Sequence, residues 1–189
     1  FDKLPTYQVV SHFGWVGDDF VPYSNKYLID EDICTRDSLS ALANKGTLDG
    51  WINTVRPLLS NTCLRLLVMT SFATPLIEKL NALPFFVVLW GKTGTCKTVT
   101  AMVAASVWGD PTKGKLVKTL NMTSNSLLSL AALLRNIPLF GDELEILRHK
   151  LKDFESTIMT LTGGVERGRL DKNARQRETP SWYNSFIVT

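Results

Sequence analysis

Eight consecutive residues in the middle of the chain have the types and spacing of a phosphate-binding loop. They fit the pattern G-x-x-x-x-G-K-[ST] at every position but one, where a cysteine replaces the second glycine. Main-chain N–H groups of such a loop, and of the helix that follows it, point inward and hold phosphate oxygens. The residues predicted to bind the phosphates are Gly91, Lys92, Thr93, Gly94, Thr95, Cys96, Lys97 and Thr98.

The last residues of this loop would contact a bound nucleotide most directly. Lys97 would neutralise the β- and γ-phosphates of ATP, and the Thr98 hydroxyl would bind Mg²⁺. A positive φ at Cys96 would cost the cysteine about 1–2 kcal/mol, whereas a helical angle would have mainly a steric cost. A thiol beside a lysine and a helix N-terminus is also a candidate for redox chemistry. The competing interpretation is a strand-to-helix turn with an incidental lysine.

An acidic pair lies further along the chain, as a magnesium-dependent NTPase requires. Asp142 and Glu143 follow a short apolar segment. Asp142 would hold Mg²⁺ through water, and Glu143 would orient or deprotonate the attacking water. The alternative is an ordinary solvated start of a helix. Thr189, at the tip of the last apolar segment, is either a sensor of the γ-phosphate or an ordinary threonine at a strand end.

Alternating strands and helices are predicted to position these residues. The almost unbroken apolar run over 83–90 is typical of a parallel strand buried on both faces, and a helix begins at Lys97. This alternation predicts an α/β fold with a parallel sheet, right-handed crossovers and helices on both faces. Further strands are predicted at 116–120, 137–143 and 182–189, and further helices at 126–135 and 152–161.

The chain before the first core strand has a different pattern. A Gly-Asp-Asp turn between apolar residues predicts a short hairpin over 12–23. Helical patterns then begin at Thr47 and, with a cap at Asn61 or Thr62, continue towards the core. We therefore predict an N-terminal hairpin and helical segment before the nucleotide-binding core.

Composition is that of an average globular protein. Of 189 residues, 44% are hydrophobic and 21% are charged, which argues against disorder, collagen or a coiled coil for the whole chain. The apolar stretches are too short or too interrupted to cross a membrane, and we see no signal peptide. The separated cysteines predict neither a zinc site nor a disulfide framework. They are Cys34, Cys63 and Cys96.

Several of these elements together resemble a known family. The sequence resembles a domain of unknown function that occurs in phage, prophage and mobile-element proteins described as helicases or primases. That family looks like a P-loop NTPase of the additional-strand type, similar to AAA+ and superfamily 3 helicases. The segments that carry the resemblance are Phe13-Gly14-Trp15, 91–98, Ala105-Ser106-Val107-Trp108-Gly109, Asp142-Glu143 and Ser185-Phe186-Ile187-Val188-Thr189.

The resemblance implies a sheet ordered 5-1-4-3-2, a homo-oligomeric, hexameric ring and ATP-driven movement on single-stranded or forked DNA. It also implies a place in phage or mobile-element DNA replication in the cytosol of a bacterial host, without a membrane partner. On this basis we divide the chain into an N-terminal segment, 1–82, and an incomplete ATPase core, 83–189. The last strand is expected to be cut at its tip, so that the fifth strand and any lid lie outside this chain.

A basic segment between the last helix and the last strand is the candidate DNA contact. In ring helicases the equivalent insertion is a hairpin that tracks phosphates in the central channel. One arginine could instead reach the γ-phosphate of a neighbouring subunit, and a solvated charged loop is the simplest alternative. The early aromatic residues, including Trp15 and Trp51, are interpreted as packing residues rather than a platform for bases. The candidate basic residues are Arg167, Arg169, Lys172, Arg175 and Arg177.

Three functions remain open from the sequence. The leading hypothesis is a DNA-dependent, Mg-ATP-hydrolysing motor, a DNA helicase module. The second is a nucleotide-binding switch or assembly module with little or no hydrolysis, which Cys96 and the modest net charge of +3 favour. The third is a small-molecule kinase, and Asp142-Glu143 argues against it because hydrolytic motors use a glutamate to activate water.

Overall fold

The computed structural model describes residues 6–30, 33–166, 168 and 179–189. The eight strands of this described part are short, at three or four residues each. The strands are β1 (Gln8–Val10), β2 (Gly14–Val16), β3 (Asp19–Val21), β4 (Tyr27–Ile29), β5 (Phe85–Val88), β6 (Val117–Thr119), β7 (Leu139–Asp142) and β8 (Ser185–Val188).

Helices separate the strands of the larger sheet and fill the chain before it. A 3₁₀ helix, Arg56–Ser60, extends the second α-helix. The α-helices are α1 (Ile33–Ala41), α2 (Leu48–Val55), α3 (Thr62–Ala73), α4 (Leu76–Lys79), α5 (Lys97–Ala105), α6 (Ser124–Leu134), α7 (Leu144–Lys150) and α8 (Phe154–Gly163).

The larger sheet has four parallel strands in the order β5-β8-β7-β6. The predicted α/β class with a parallel sheet is therefore confirmed. In chain order this arrangement is 1-4-3-2, which agrees with the order that the family resemblance implies for these four strands. Because the strands are parallel, their carboxyl ends lie along one edge of the sheet, where ligands of open α/β sheets bind.

The helix starts follow from local capping chemistry. The Thr47 side chain accepts a hydrogen bond from the main chain of α2, Asn61 accepts one from Leu64 at 3.1 Å, and Thr123 accepts one from Ser126 at 3.3 Å. Each cap satisfies a main-chain N–H that has no partner within the first turn. Of the two predicted alternatives for the start of α3, Asn61 and Thr62, Asn61 is the cap.

The prediction that the strand at 83–90 is buried on both faces is wrong. β5 lies at one edge of the four-stranded sheet, and the side chains of Phe85 and Val88 are exposed. A continuous apolar run is typical of strands covered on both faces, but the pattern does not give a strand's place in its sheet. The last residue of this run, Trp90, is 94% exposed.

Three elements before residue 42 were not predicted from the pattern. β1 and β4 pair in parallel, and α1 follows them. Strands of three residues are too short for a period-two pattern to stand out. A helix, α7, begins directly after Glu143, as the alternative interpretation of the acidic pair allowed, and the predicted polar helix lies at α8, starting two residues late.

The predicted hairpin is present as β2 and β3, and it is fixed to the rest of the molecule at its first strand. The Phe13 side chain is fully buried, and its main-chain N–H donates to Leu133 in α6 at 2.8 Å. The Trp15 main-chain N–H donates to the Asn136 side chain at 3.0 Å. A Cβ atom on Gly14 would lie 2.3 Å from Asn136 Oδ1, so only glycine fits there. The Phe-Gly-Trp element therefore docks the hairpin.

One hydrophobic core joins both parts of the chain. Its buried members include Phe13 and Leu67 before residue 83, and Ala104 and Phe186 after it. Ser71 in α3 donates to the main chain of Ala104 in α5 at 2.8 Å, within the buried face between these helices. The boundary between 1–82 and 83–189 stays a prediction, because packing is continuous across it.

Tryptophan side chains mostly serve this packing. Trp15 donates to the main chain of Pro75, Trp51 to Ser106, Trp108 to Ser71 and Trp182 to Leu161, all between 2.8 and 3.1 Å. These contacts support the interpretation of Trp15 and Trp51 as packing residues. In the described part of the chain, we find no helix whose length and apolar character would let it cross a membrane.

Candidate nucleotide site

The predicted phosphate loop connects β5 to α5 at the carboxyl edge of the sheet. Leu89 continues the strand by donating its N–H to Val188 at 2.8 Å, and α5 begins at Lys97. The Lys97 ammonium donates to the main-chain oxygens of Gly91 at 2.7 Å and Lys92 at 2.9 Å. The Thr95 hydroxyl also donates to Lys92, at 2.8 Å. These bonds close the loop around its lysine.

The backbone of this loop requires left-handed conformations at two positions. Gly94 has a φ of +84°, and Cys96 has a φ of +59° and a ψ of +22°. The open question about Cys96 is therefore answered: the position has the positive φ at which a side chain costs about 1–2 kcal/mol. The Cys96 side chain is exposed, and a redox role for it stays a prediction.

Asp142 is the centre of the hydrogen-bond network beside the loop. It ends β7, and it is 3% exposed. Its Oδ1 accepts hydrogen bonds from the hydroxyls of Thr98 at 3.0 Å and Thr189 at 2.5 Å. The structure thus brings together the two predicted magnesium ligands and the predicted sensor threonine, from α5, β7 and the end of β8.

Thr189 is held at this place by its own backbone. Its N–H donates to Gly141 at 3.0 Å, and its carbonyl accepts from Leu144 at 2.9 Å. Its position at the sheet edge is therefore fixed by the pairing of β7 with β8 and by the start of α7. The hydroxyl contacts Asp142, and both interpretations of Thr189, a sensor of the γ-phosphate and an ordinary threonine at a strand end, stay open.

A lysine that sequence reasoning missed completes the network. The Lys113 ammonium lies 2.5 Å from Asp142 Oδ2. Burial alone would raise the pKa of Asp142, but hydrogen bonds from Lys113, Thr189 and Thr98 outweigh it and lower that pKa below its usual value. The bond to Asp142 and its charge, with a further contribution from Glu143, raise the pKa of Lys113. Both groups are therefore held in their charged forms.

Glu143 follows Asp142 but has a different environment. It is exposed, it lies outside β7, and its backbone is left-handed with a φ of +66°. Cys96 has the same strained backbone conformation, and residues strained in this way are often found at active sites and ligand-binding sites. The exposed carboxylate is available to a water or ligand at the sheet edge, as the proposed general base requires.

The donor set suits a magnesium ion that is carried by a nucleotide. Mg²⁺ prefers oxygen ligands and commonly takes one or two from protein, the rest being water and phosphate. Thr98 and Asp142 supply such oxygens side by side, and Lys97, the residue before Thr98, supplies positive charge within the loop. Among the residues that the structure describes, no group of three or more His, Cys, Asp or Glu side chains could hold a metal by itself.

Comparison with protein families extends these observations. The model of a domain of unknown function, DUF927, matches residues 1–180. The chain belongs to the DUF927 family. The match includes the docked hairpin of this DUF927 domain, its loop over 91–98 and its Asp142-Glu143 pair, whereas Thr189 lies beyond the matched residues. A comparison with curated proteins finds no match.

The predicted basic residues lie outside the described part of this DUF927 domain. They are Arg167, Arg169, Lys172, Arg175 and Arg177. The ends of the segment that carries them are placed: Val165 forms an antiparallel bridge with Ser181, and Glu166 donates its main-chain N–H to Pro180 at 3.0 Å. The two ends therefore run side by side, and the DNA-contact prediction for the residues between them is untested.

Proposed function

We propose that this protein is a magnesium-dependent ATPase with a P-loop NTPase core, acting as a DNA helicase motor in phage or mobile-element replication. The observation that carries the proposal is the 3.0 Å hydrogen bond between Thr98 and Asp142. It joins the residue after the loop lysine to the buried acid at the end of another strand. A strand-to-helix turn with an incidental lysine would not require that acid. In P-loop NTPases, a Ser or Thr of the loop and an acid at the end of a strand are the two protein groups that hold Mg²⁺.

Each residue at the sheet edge then has a separate task. Lys97 exchanges its bonds to Gly91 and Lys92 for phosphate oxygens, and main-chain N–H groups at the start of α5 bind the same phosphates. Thr98 and Asp142 hold the Mg²⁺. When bound, Mg²⁺ neutralises developing charge on the phosphates. Glu143 accepts a proton from the attacking water, and Thr189 positions Asp142 through its hydroxyl.

The DNA-dependent part of the proposal concerns the segment between Val165 and Ser181. Its basic residues would contact phosphates of a single strand without recognising sequence, and such binding weakens as salt concentration rises. A ring of identical subunits, a hexamer as in the helicases that the sequence resembles, would place several copies of the segment around one strand.

ATP turnover by the full-length protein, with and without single-stranded DNA, tests this function. We expect Glu143→Gln to retain ATP binding and to lower turnover by about 10²–10⁴-fold, because it removes the base. The matched control is Glu145→Gln, which changes another exposed glutamate two residues away and should retain wild-type turnover. Equal loss in both variants would contradict the role of Glu143, and an absence of DNA stimulation would contradict the helicase assignment.

A nucleotide-binding switch is the second candidate. The ion pair between Lys113 and Asp142 favours it, because Asp142 is already neutralised by a residue of the protein. Equilibrium binding of ATP separates the candidates: binding without turnover, with or without DNA, supports the switch. Lys97→Ala is expected to abolish binding under either one, and retained binding in that variant would contradict both.

A further inference from the structure

Both oxygens of the Asp142 carboxylate are engaged, but by different kinds of group. Oδ1 accepts the hydroxyls of Thr98 and Thr189, whereas the Lys113 ammonium contacts Oδ2. The hydroxyls are neutral and can remain beside a metal ion. The ammonium carries a full positive charge, and it lies where a cation bound to Asp142 would be repelled.

The turn that carries Lys113 is anchored on both sides. Asp110 donates its main-chain N–H to Ala41 in α1 at 2.8 Å, and Asp110 Oδ1 accepts from Thr112. Gly114 donates to Val117 at 2.9 Å, at the start of β6. Because β6 pairs with β7, with Thr119 opposite Asp142, this anchoring fixes the Lys113 backbone beside the site.

The two partners of the ion pair differ in access to solvent. The Lys113 side chain is 56% exposed, whereas that of Asp142 is 4% exposed. An exposed lysine can turn into water at little cost, since its ammonium is hydrated there and its stem is flexible. The buried carboxylate cannot follow it, and it must find another cation.

We propose that Lys113 is an internal cation that competes with Mg²⁺ for Asp142 and so sets the metal concentration at which the site binds nucleotide. The inference rests on the proposed function. In the nucleotide-free protein, Lys113 keeps the buried carboxylate paired. Mg²⁺ that arrives with a nucleotide displaces the ammonium from Oδ2, and Lys113 moves into solvent.

The test is a titration of Mn²⁺, as a detectable substitute for Mg²⁺, into the protein saturated with a non-hydrolysable ATP analogue. Lys113→Met is expected to tighten Mn²⁺ binding about three- to tenfold, because this change in affinity corresponds to the free energy of one partly exposed ion pair. Lys113→Arg keeps the charge and should remain close to wild type. The matched control is Lys115→Met, which removes the same charge from an exposed side chain two residues away.

A second measurement guards against a folding defect in the variants. Circular dichroism establishes that each variant is folded, and Lys113→Gln, which can still donate a hydrogen bond without charge, should also tighten Mn²⁺ binding. Unchanged Mn²⁺ affinity in both neutral variants overturns the proposal. Weaker analogue binding with Mn²⁺ present also overturns it, because Lys113 would then be a phosphate ligand.

Failure of the proposed function has a different signature. A wild-type protein that binds neither the analogue nor Mn²⁺ overturns the nucleotide site itself, and this inference with it. Wild-type binding with no difference between Lys113→Met and Lys115→Met overturns the competition alone.

Discussion

Cys96 and Glu143, each next to a residue of the proposed metal site or its lysine, adopt left-handed backbone conformations. Their φ angles are +59° and +66°. Glycine would adopt these angles without strain, and a conformation of this kind persists only when surrounding bonds hold it. At Cys96 the holding bonds are visible, since its carbonyl accepts from the N–H of Thr100 at 2.9 Å and from its hydroxyl at 3.0 Å.

Cys96→Gly is expected to stabilise the protein by up to about 1 kcal/mol. Relief of a strain of about 1–2 kcal/mol is partly offset by the larger entropy that glycine loses on folding. Thermal unfolding should show a rise of about 2–4 °C per kcal/mol for a chain of this length. Cys96→Ala keeps the Cβ atom and removes the thiol, so an equal gain in that variant would contradict the backbone explanation.

The residues of the site differed in how far the sequence could predict them. The loop over 91–98 is contiguous, so its pattern is visible without a structure, and Asp142-Glu143 stands out as an acidic pair after an apolar segment. Lys113 has neither advantage. It is one lysine in a polar turn, and its contact with Asp142 depends on the pairing of β6 with β7, which residue types alone do not encode.

The hairpin formed by β2 and β3 shows why a specific motif can be structural. Phe13, Gly14 and Trp15 each contact a different part of the later chain: the end of α6, the Asn136 side chain and Pro75. Asn136, which follows the end of α6, in turn donates a hydrogen bond from its side chain to Glu78 in α4 at 2.8 Å. The element therefore connects segments far apart in sequence, and its residue types follow from close packing.

Gly14→Ala is expected to destabilise the protein by about 2–4 kcal/mol. The new Cβ would meet Asn136 at 2.3 Å, and the φ of +90° adds strain to the steric conflict. Gly17→Ala is the matched control in the same hairpin, because its φ is +63° and a Cβ atom added there would meet nothing within 4 Å. Urea unfolding should show a loss of about 1–2 kcal/mol for Gly17→Ala, from backbone strain without a steric conflict, and similar losses in both variants would contradict the packing argument.

The hydrophobic patterns and capping residues predicted where most of the larger elements lie in the sequence, but not which of them are buried. The helices α2, α3, α5 and α6 begin within about two residues of their predicted starts, since their caps and apolar spacing are local properties. Exposure of β5 was missed, because burial depends on which strand lies next to it. α7 begins directly after Glu143, so the acidic pair precedes a helix as its alternative interpretation allowed, although the extent of that helix was not predicted.

At the largest scale, β5 is the edge strand of the four-stranded sheet in the described part of the chain, on the side where the family resemblance implies a fifth strand. In the described part of the chain, β5 pairs with β8 and with no other strand, and two of its apolar side chains, Phe85 and Val88, are exposed. An exposed apolar edge is a site where another strand can pair. The strand order itself was expected from the resemblance and not from spacing, because spacing in sequence does not define neighbours in a sheet.

Val88→Lys is expected to reduce concentration-dependent self-association, because a lysine on an edge strand opposes pairing. Its effect on stability should stay within about 1 kcal/mol, since Val88 is 51% exposed. Val188→Lys is the matched control: Val188 is the register partner of Val88 but is 1% exposed, and a charge there should cost more than about 3 kcal/mol. Light scattering and thermal unfolding measure the two effects, and equal self-association of Val88→Lys and wild type would contradict the open edge.

The network around Asp142 also bears on the order of events during folding. Its hydroxyl donors, Thr98 and Thr189, are separated from it by 44 and 47 residues in sequence. Contacts of such long range form late, because the chain must first close large loops. A partly folded chain could possess the phosphate loop and still lack the acid that completes the site. Nucleotide would then bind the fully assembled sheet in preference to every intermediate and shift the folding equilibrium towards it.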